Sequence, residues 1–516
     1  MKPYVIPIVL LACLTPSAFA AESKPNVLLF LVDDMGVMDS SVPFLADVNG
    51  KAKRYPLNDF YRTPNMERLA SMGTRFANFY ANSVCSPTRT TLMNGQSSAR
   101  HHTTQYIKPE SKNTGDFGPK TWKWEGFTKA DTTLPAQLRA AGYRTIHSGK
   151  AHLGPVGAPA ENPLNIGFDV NIAGCAYGQP GSYLGMKNYG NGIRSRVNRA
   201  APGLEKYHGT KTHLTEACTI EMKAAISEAV SKQEPFFAYM SHYAVHAPFE
   251  ADERFVDNYR KGKPARLAAF ASLIEGMDKS LGDLLDHLES IGVAENTLVI
   301  FLGDNGTDAP IGDAYAVSCA APLRGKKATH YEGGMRVPFI AAWGKRDPQN
   351  SFQKEHPVVR GSHVTEGFGQ ISDVYATILD ITKAKPDANH KVDGISLLPA
   401  LGGESLPTDR EFLMHFPHSH RTSYFTVLVR GNDKIVYHYP VGKEAKSKGR
   451  SNFPRVELFD LAADPTESKN LADSHPELKR AMTAAMVTAL EDAGAQYPVR
   501  AGKILKPAVE SFAPTP

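Results

Sequence analysis

Asn26-Val27-Leu28-Leu29-Phe30-Leu31-Val32, bounded by Pro25 and by Asp33-Asp34, decides how this chain is read. Apolar residues follow one another without the polar alternation of a half-exposed strand, which is the pattern of a strand buried on both faces of a parallel sheet. Two carboxylates then stand at its C-terminal end. Outward from this strand the same grammar recurs. Thr63 as N-cap, Pro64 at the first helical position, nearby Glu67 and closing Gly73 mark a helix. Residues 134–141 read as a helix ended by Gly142, and strand 143–148 then delivers Gly149-Lys150-Ala151-His152. A long amphipathic helix, about 265–291, leads into strand 297–302 and Gly303-Asp304-Asn305-Gly306; strand 338–343 and helix 371–381 follow. Strands alternating with helices predict an α/β fold, a large and mostly parallel sheet sandwiched by helices. Ligands bind beyond the carboxyl ends of such strands. Asp33, Asp34, Lys150, His152, Asp304 and Asn305 are therefore expected to converge on one edge.

After Asp393-Gly394-Ile395-Ser396-Leu397-Leu398-Pro399 the texture changes to short β-like runs, 424–429 and 434–439, with a final helix at 476–493. This predicts a smaller C-terminal α+β subdomain over 406–516, behind a catalytic domain over 21–405. With 516 residues, 42% of them hydrophobic and 22% charged, the chain has the composition of a globular protein rather than a disordered one. A formal charge of +5, with Lys and Arg scattered apart from 443–450, does not imply a nucleic-acid partner. Lys2, an apolar stretch over 4–14 and Pro16-Ser17-Ala18-Phe19-Ala20 read as a signal peptide, residues 1–20, cleaved near Ala20. A lipoprotein site at Leu10-Leu11-Ala12-Cys13 is the competing reading, with a short apolar run before it and an imperfect fit at Leu11. No later segment approaches the roughly 20 apolar residues of a spanning helix. The expected location is the periplasm or outside the cell.

Five separated motifs carry the chemistry. Cys85-Ser86-Pro87-Thr88-Arg89, followed by Thr90-Thr91-Leu92-Met93-Asn94-Gly95, resembles the Cys-x-Pro-x-Arg signature of the type I sulfatases. Gly149-Lys150-Ala151-His152-Leu153-Gly154 resembles their Gly-Lys-x-His-x-Gly element, and His246-Ala247-Pro248 their His-x-Pro turn. Residues 324–334 are similar to Arg-x-Gly-Lys-Gly-Thr-x-x-Glu-Gly-Gly; counting back from Glu332 aligns Lys327 with the motif lysine, while Lys326 and Ala328 replace the flanking glycines. Residues 457–472 match most of the signature Leu-Tyr-Asp-Leu-x-x-Asp-Pro-x-Glu-x-x-Asn-Leu. From Pro25 to about Ala472 the chain thus resembles a formylglycine-dependent type I sulfatase of the alkaline-phosphatase superfamily.

The chemistry agrees with the residue types. Cleaving a sulfate monoester requires a nucleophile, positive charge around the equatorial oxygens and a proton for the departing alkoxide. Three carboxylates and an amide are hard oxygen ligands that suit calcium better than zinc. The resemblance implies that a maturase oxidises Cys85 to formylglycine, that Asp33, Asp34, Asp304 and Asn305 hold one calcium, and that Arg89 stabilises the ionised hydrate. It casts Lys150 as a contact to sulfate and hydrate, His152 as the base of the second step, and His246 or Lys327 as the acid for the leaving alcohol. His242, four residues before His246, competes for that last role. With Cys13 removed and Cys85 converted, Cys175, Cys218 and Cys319 allow at most one disulfide.

Segment 103–129, with Tyr106, Lys108, Lys112, Lys120, Trp122, Lys123, Trp124 and Lys129, is longer than the connection needs and reads as a lining for the substrate pocket. Aromatic faces flanked by cations suit a sulfated sugar; a packing core of the loop's own is the alternative. The expected substrate is a sulfated carbohydrate. The rivals are a small aryl sulfate, a phosphonate or phosphodiester of the same superfamily, and a sulfatase-like binding protein without catalysis.

Overall fold

The computed structural model describes residues 24–192, 199–441 and 453–507. The expected signal peptide, Cys13 and the basic stretch 443–450 lie outside these residues.

Among the described residues, an eight-stranded sheet runs in the spatial order Val170–Ile172, Arg144–Gly149, Phe236–Ser241, Asn26–Val32, Thr297–Gly303, Phe339–Trp343, Thr74–Phe76 and Ser362–Val364. Asn26–Val32 lies at its centre with every residue buried, hydrogen-bonded in parallel to Phe236–Ser241 on one side and Thr297–Gly303 on the other. Phe339–Trp343 alone is antiparallel to its neighbours. Residues of the central strand alternate between two cores, because successive Cβ atoms point to opposite faces. Leu28, Phe30 and Val32 pack toward Met66, Leu69, Leu273, Leu281 and Met222, from helices Pro64–Met72, Ala265–Ser290 and Leu214–Ser231. Val27, Leu29 and Leu31 pack toward Leu92, Leu138, Val374 and Ile378, from Cys85–Asn94, Leu134–Ala140 and Ile371–Thr382. Each such side chain contributes about 1.5–3 kcal/mol on burial, so the apolar run packs a helical layer onto each face of the sheet.

The short strands Val170–Ile172, Thr74–Phe76 and Ser362–Val364 escape the sequence reading, as do the helix Leu214–Ser231 and the strand beside the centre, Phe236–Ser241. The strand carries the same signal as Asn26–Val32, an apolar run Phe236-Phe237-Ala238-Tyr239-Met240 starting after Pro235.

A second, antiparallel sheet is a four-stranded meander of Glu411–Ser419, Ser423–Arg430, Asp433–His438 and Val456–Asp460. One face packs Leu428, Ile435 and Leu458 against Met482, Met486 and Leu490 of helix Pro476–Asp492. The other packs Phe412, Met414, Val427, Val436 and Phe459 against Tyr80, Val84 and Met335 of the first layer.

Beneath that interface, Lys434 Nζ lies 3.1 Å from Glu332 Oε1 and 2.6 Å from Glu467 Oε1. Arg336 holds the other oxygen of Glu332 at 2.5 Å, Tyr80 Oη donates to it at 2.9 Å, and the Glu332 backbone N–H donates to Glu467 at 2.7 Å. Glu332 belongs to the Glu-Gly-Gly motif and Glu467 to the C-terminal signature, so two motifs distant in sequence share one lysine. All three side chains are fully buried. Lys434→Met is expected to cost about 3–5 kcal/mol, because it leaves the buried Glu467 carboxylate without its cation while Glu332 keeps Arg336; urea denaturation reads this directly, and a loss within experimental error contradicts the assignment.

Candidate active site

Strand ends set the site. The Asp304 N–H donates to the Val32 carbonyl at 3.0 Å, the Asp33 N–H to the Ala244 carbonyl at 2.9 Å, and the Asp34 N–H to Asp304 Oδ1 at 3.0 Å. Asp34 adopts the left-handed backbone region (φ 58°), which a non-glycine residue enters at a cost. Carboxylate oxygens of Asp33, Asp34 and Asp304 all lie within 4.8 Å of one another. Asn305 Nδ2 donates to Asp34 Oδ1 (3.0 Å) and to the Gly306 carbonyl (2.9 Å), so its amide oxygen is the free end. Asp33 Oδ1, Asp34 Oδ2 and Asn305 Oδ1 are buried without a hydrogen-bond partner among the described residues. Orphaned buried oxygens are costly, and a cluster of them drawn from two carboxylates and an amide, beside a third carboxylate, fits a hard dication such as calcium.

Three cations face the three carboxylates. Arg89 Nε and Nη2 meet Asp304 Oδ2 at 2.9 and 2.8 Å, and its Nη1 donates to Ser241 Oγ at 2.6 Å and the Lys150 carbonyl at 3.0 Å. Lys150 Nζ reaches Asp33 Oδ2 at 2.7 Å, and Lys327 Nζ reaches Asp34 Oδ1 at 2.5 Å. Burial alone raises a carboxyl, yet Lys327, His246 and Lys150 together hold Asp34 well below the usual carboxylate range. Burial, joined by the charge of Asp33, pushes Asp304 up to about 7. A bound dication therefore leaves the site with excess positive charge, which an anionic ester answers.

Cys85 is the first residue of helix Cys85–Asn94, all of whose residues are buried. Its Sγ lies 3.3 Å from His152 Nδ1. His152 Nε2 contacts the Ile107 carbonyl at 2.6 Å; a carbonyl only accepts, so Nε2 carries the hydrogen and the lone pair on Nδ1 faces Cys85. Burial, followed by Lys150, keeps the ring well below the ordinary histidine value, hence neutral. Burial also pushes the Cys85 thiol up. An unmodified thiol here is not an activated thiolate.

Local backbone explains two motif positions. Gly149 has φ 100°, and a Cβ there falls 1.9 Å from the Ser241 carbonyl oxygen, so the turn that carries Lys150 admits only glycine. Ala328 has φ 65°, the conformation that suits the glycine found there in the resembling motif. The lysine ambiguity is resolved geometrically: Lys327 turns inward to Asp34, whereas Lys326 Nζ contacts the Ala309 carbonyl at 3.3 Å. His242 faces away, buried, bonded to Ser280 Oγ at 2.9 Å and packed on Phe30. His246 Nε2 stands 3.6 Å from Asp34 Oδ2; burial, then the charge of Lys327, lowers its pKa to about 4.

Cys85, His152, His246 and Lys327 line one cavity of about 670 Å³. From segment 103–129, Tyr106, Ile107 and Lys108 reach its wall. Trp122 follows the alternative of a core for the loop itself, being buried, bonded to Thr114 Oγ1 and packed on His418, and Tyr106 is the aromatic residue at the cavity. Sequence reasoning missed Ser241, which holds Arg89, and the cavity cations Arg199, Arg266 and Arg421. Ser241 was reachable through the overlooked strand; Arg199 and Arg421 come from loops without a motif, and Arg266 from the first turn of helix Ala265–Ser290. Cys85, Cys175, Cys218 and Cys319 are all unpaired.

Residues 25–384 match the family model described as Sulfatase. The chain is 30% identical over 412 residues to the N-acetylgalactosamine-6-sulfatase of Mus musculus, covering 76% of this chain and 69% of that protein. It is 26% identical over 522 residues to the N-acetylgalactosamine-6-O-sulfatase of Bacteroides thetaiotaomicron, covering 90% and 92%. The crystal structure of Ps i-CgsB in complex with k-i-k-neocarrahexaose superposes with a TM-score of 0.68 at 22% identity, covering 95% of this chain and 96% of that one, which shows a common fold.

Proposed function

The chain belongs to the sulfatase family and is a sulfuric ester hydrolase, and on that premise we propose that it desulfates a sulfated carbohydrate, with Cys85 matured to formylglycine and one calcium held by Asp33, Asp34, Asp304 and Asn305. The observation that carries this reading is an orphaned oxygen cluster paired with three cations, one of which, Lys327, lines the same cavity as Cys85.

When present, hydrated formylglycine supplies two hydroxyls on one carbon, one to attack sulfur and one to let sulfate depart, and calcium supplies Lewis acidity toward the sulfate oxygens. The protein's own groups do the rest. Arg89, fixed by Asp304 and Ser241, lies beside the residue at position 85 and stabilises negative charge there. Lys150 and Lys327 supply the remaining positive charge around the sulfate. His152 presents the lone pair of Nδ1 to position 85 and accepts a proton from a hydroxyl at that place. Lys327 and His246, which line the same cavity, are the groups placed to give a proton to the departing oxygen, His246 once a bound anionic ester has raised its pKa from about 4.

The carbohydrate assignment draws on the names of the relatives and on the cavity lining. Lys108, Arg199, Arg266, Lys326 and Arg421 line the cavity, a set of cations suited to a saccharide with further anionic groups. Arg266→Ala is expected to raise KM for a sulfated oligosaccharide about tenfold, one hydrogen-bonded charge pair, and to leave a nitrophenyl sulfate unchanged. Equal effects on both substrates contradict that role. Export through residues 1–20, cleavage near Ala20, a periplasmic or secreted location, a formylglycine-generating maturase as partner, and the division of the chain at 405/406 belong to the same proposal. Among the described residues no helix is long and apolar enough to cross a membrane.

The deciding assay compares sulfated saccharides, nitrophenyl sulfate and phosphate diesters on the calcium-loaded protein. Faster release from one saccharide is the expected result. Blank saccharides with rapid nitrophenyl sulfate turnover assign a small aryl sulfate instead, and competitive phosphodiester rates assign the phosphodiesterase reading.

A further inference from the structure

Apart from the aspartate cluster, one other group of side chains in the described residues gathers metal-ligating atoms within 4.8 Å of one another: His330, His438 and Glu457. His330 lies in the loop three residues beyond Lys327, His438 ends strand Asp433–His438, and Glu457 stands on the adjacent strand Val456–Asp460. All three are buried. We propose that they form a structural zinc site, independent of the sulfatase chemistry, that fastens the Lys327 loop to the C-terminal sheet.

Two observations carry it. The first is lost hydrogen bonding. Both ring nitrogens of His330, both of His438, and Glu457 Oε2 are buried without a hydrogen-bond partner among the described residues. Such a concentration of orphaned polar atoms calls for an explanation by water or an ion. The second is spacing. His330 Nε2 lies 3.3 Å from Glu457 Oε2, and His438 Nε2 lies 3.5 Å from Glu457 Oε1. Charge-assisted hydrogen bonds run at about 2.7–2.9 Å, so these contacts are too long for a good one. Two ligands that share a tetrahedral zinc at about 2.0–2.1 Å are separated by about 3.3–3.4 Å, which is the spacing seen. The shell is dry and aromatic. Phe453 stacks on His438 at 4.7 Å and meets His330 edge-on at 4.8 Å, while Phe425 closes on His330 at 5.5 Å.

The donor chemistry selects the metal. Two imidazoles and one carboxylate suit zinc or a similar late first-row ion, whereas the oxygen-only cluster at Asp33, Asp34 and Asp304 suits calcium.

The test loads the full-length protein with one equivalent of zinc chloride and excess calcium chloride, desalts it, and measures both elements by mass spectrometry. About one zinc per chain is expected, falling below about one tenth in His438→Gln and Glu457→Gln with calcium content unchanged. His438→Cys, which keeps a zinc ligand, retains the ion and shows that the Gln variants did not simply misfold. Anomalous scattering at the zinc edge from crystals of the native protein gives a readout free of substitution, with the peak expected among the three side chains. Native protein without bound zinc, or Gln variants that keep it, overturns the proposal. Either result leaves the calcium content and the sulfatase assays as they were, so the two readings fail separately.

Discussion

Cys85→Ser is expected to lower kcat on a sulfate ester by about 10⁴-fold or more, equivalent to some 5.5 kcal/mol of transition-state stabilisation, while the fold and the calcium content stay as they are. The site explains both parts. Position 85 begins a helix whose every residue is buried, its Sγ faces the lone pair of His152, and a hydroxyl in its place occupies less volume than the thiol and disturbs no hydrogen bond apart from that one. Folding is therefore spared. Chemistry is not, because a serine carries one hydroxyl and has no second to expel sulfate, whereas a hydrated aldehyde carries two on the same carbon. Steady-state assays beside thermal unfolding and calcium analysis check the prediction. A serine variant that turns over within tenfold of the parent contradicts the assignment of position 85.

Asp304→Asn is expected to remove bound calcium, from about one per chain to near none, and to lower kcat about 10³-fold. Asp304 does two jobs at once. Its Oδ2 receives Nε and Nη2 of Arg89, and its Oδ1 receives the backbone N–H of Asp34. The amide keeps the shape but removes one of three negative charges that balance Arg89, Lys150 and Lys327, so a dication arrives at a site already positive. Arg89 also loses its anchor, which makes the effect larger than the metal alone accounts for. The check pairs calcium stoichiometry with kcat on the same sample; full calcium with full activity rules out Asp304 as a ligand.

The sheet and its catalytic edge were legible because burial on both faces leaves a strong mark. Asn26–Val32 and Thr297–Gly303 are apolar throughout and end in acids, and in a parallel sheet such ends meet whatever lies between them in sequence. Lys150 and His152 were placed by the same rule, since Gly149 marks the end of their strand. What the chain concealed depends on long-range packing. Ser241 sits on a strand whose pattern was present but overlooked. Arg199 and Arg421 reach the cavity from loops with no periodicity, and Arg266 from the first turn of a helix whose end nothing in the sequence aims at the site. The antiparallel direction of Phe339–Trp343 is a matter of connection rather than composition, so its residues look like those of any buried strand. Of the two readings open for segment 103–129, Trp122 takes the packing core and Tyr106 the cavity wall, because an aromatic residue in a long loop packs the loop as readily as it faces a ligand.

The central claim is that the residue at position 85 is no longer a cysteine in the active protein. Digestion of active protein and mass spectrometry of the peptide spanning Cys85 tests it most directly. The expected peptide is about 18 Da lighter than the thiol form, as replacement of the thiol group by an aldehyde requires, and its abundance rises with co-expressed maturase in step with kcat. A fully active sample whose peptide carries only the unmodified thiol contradicts the account.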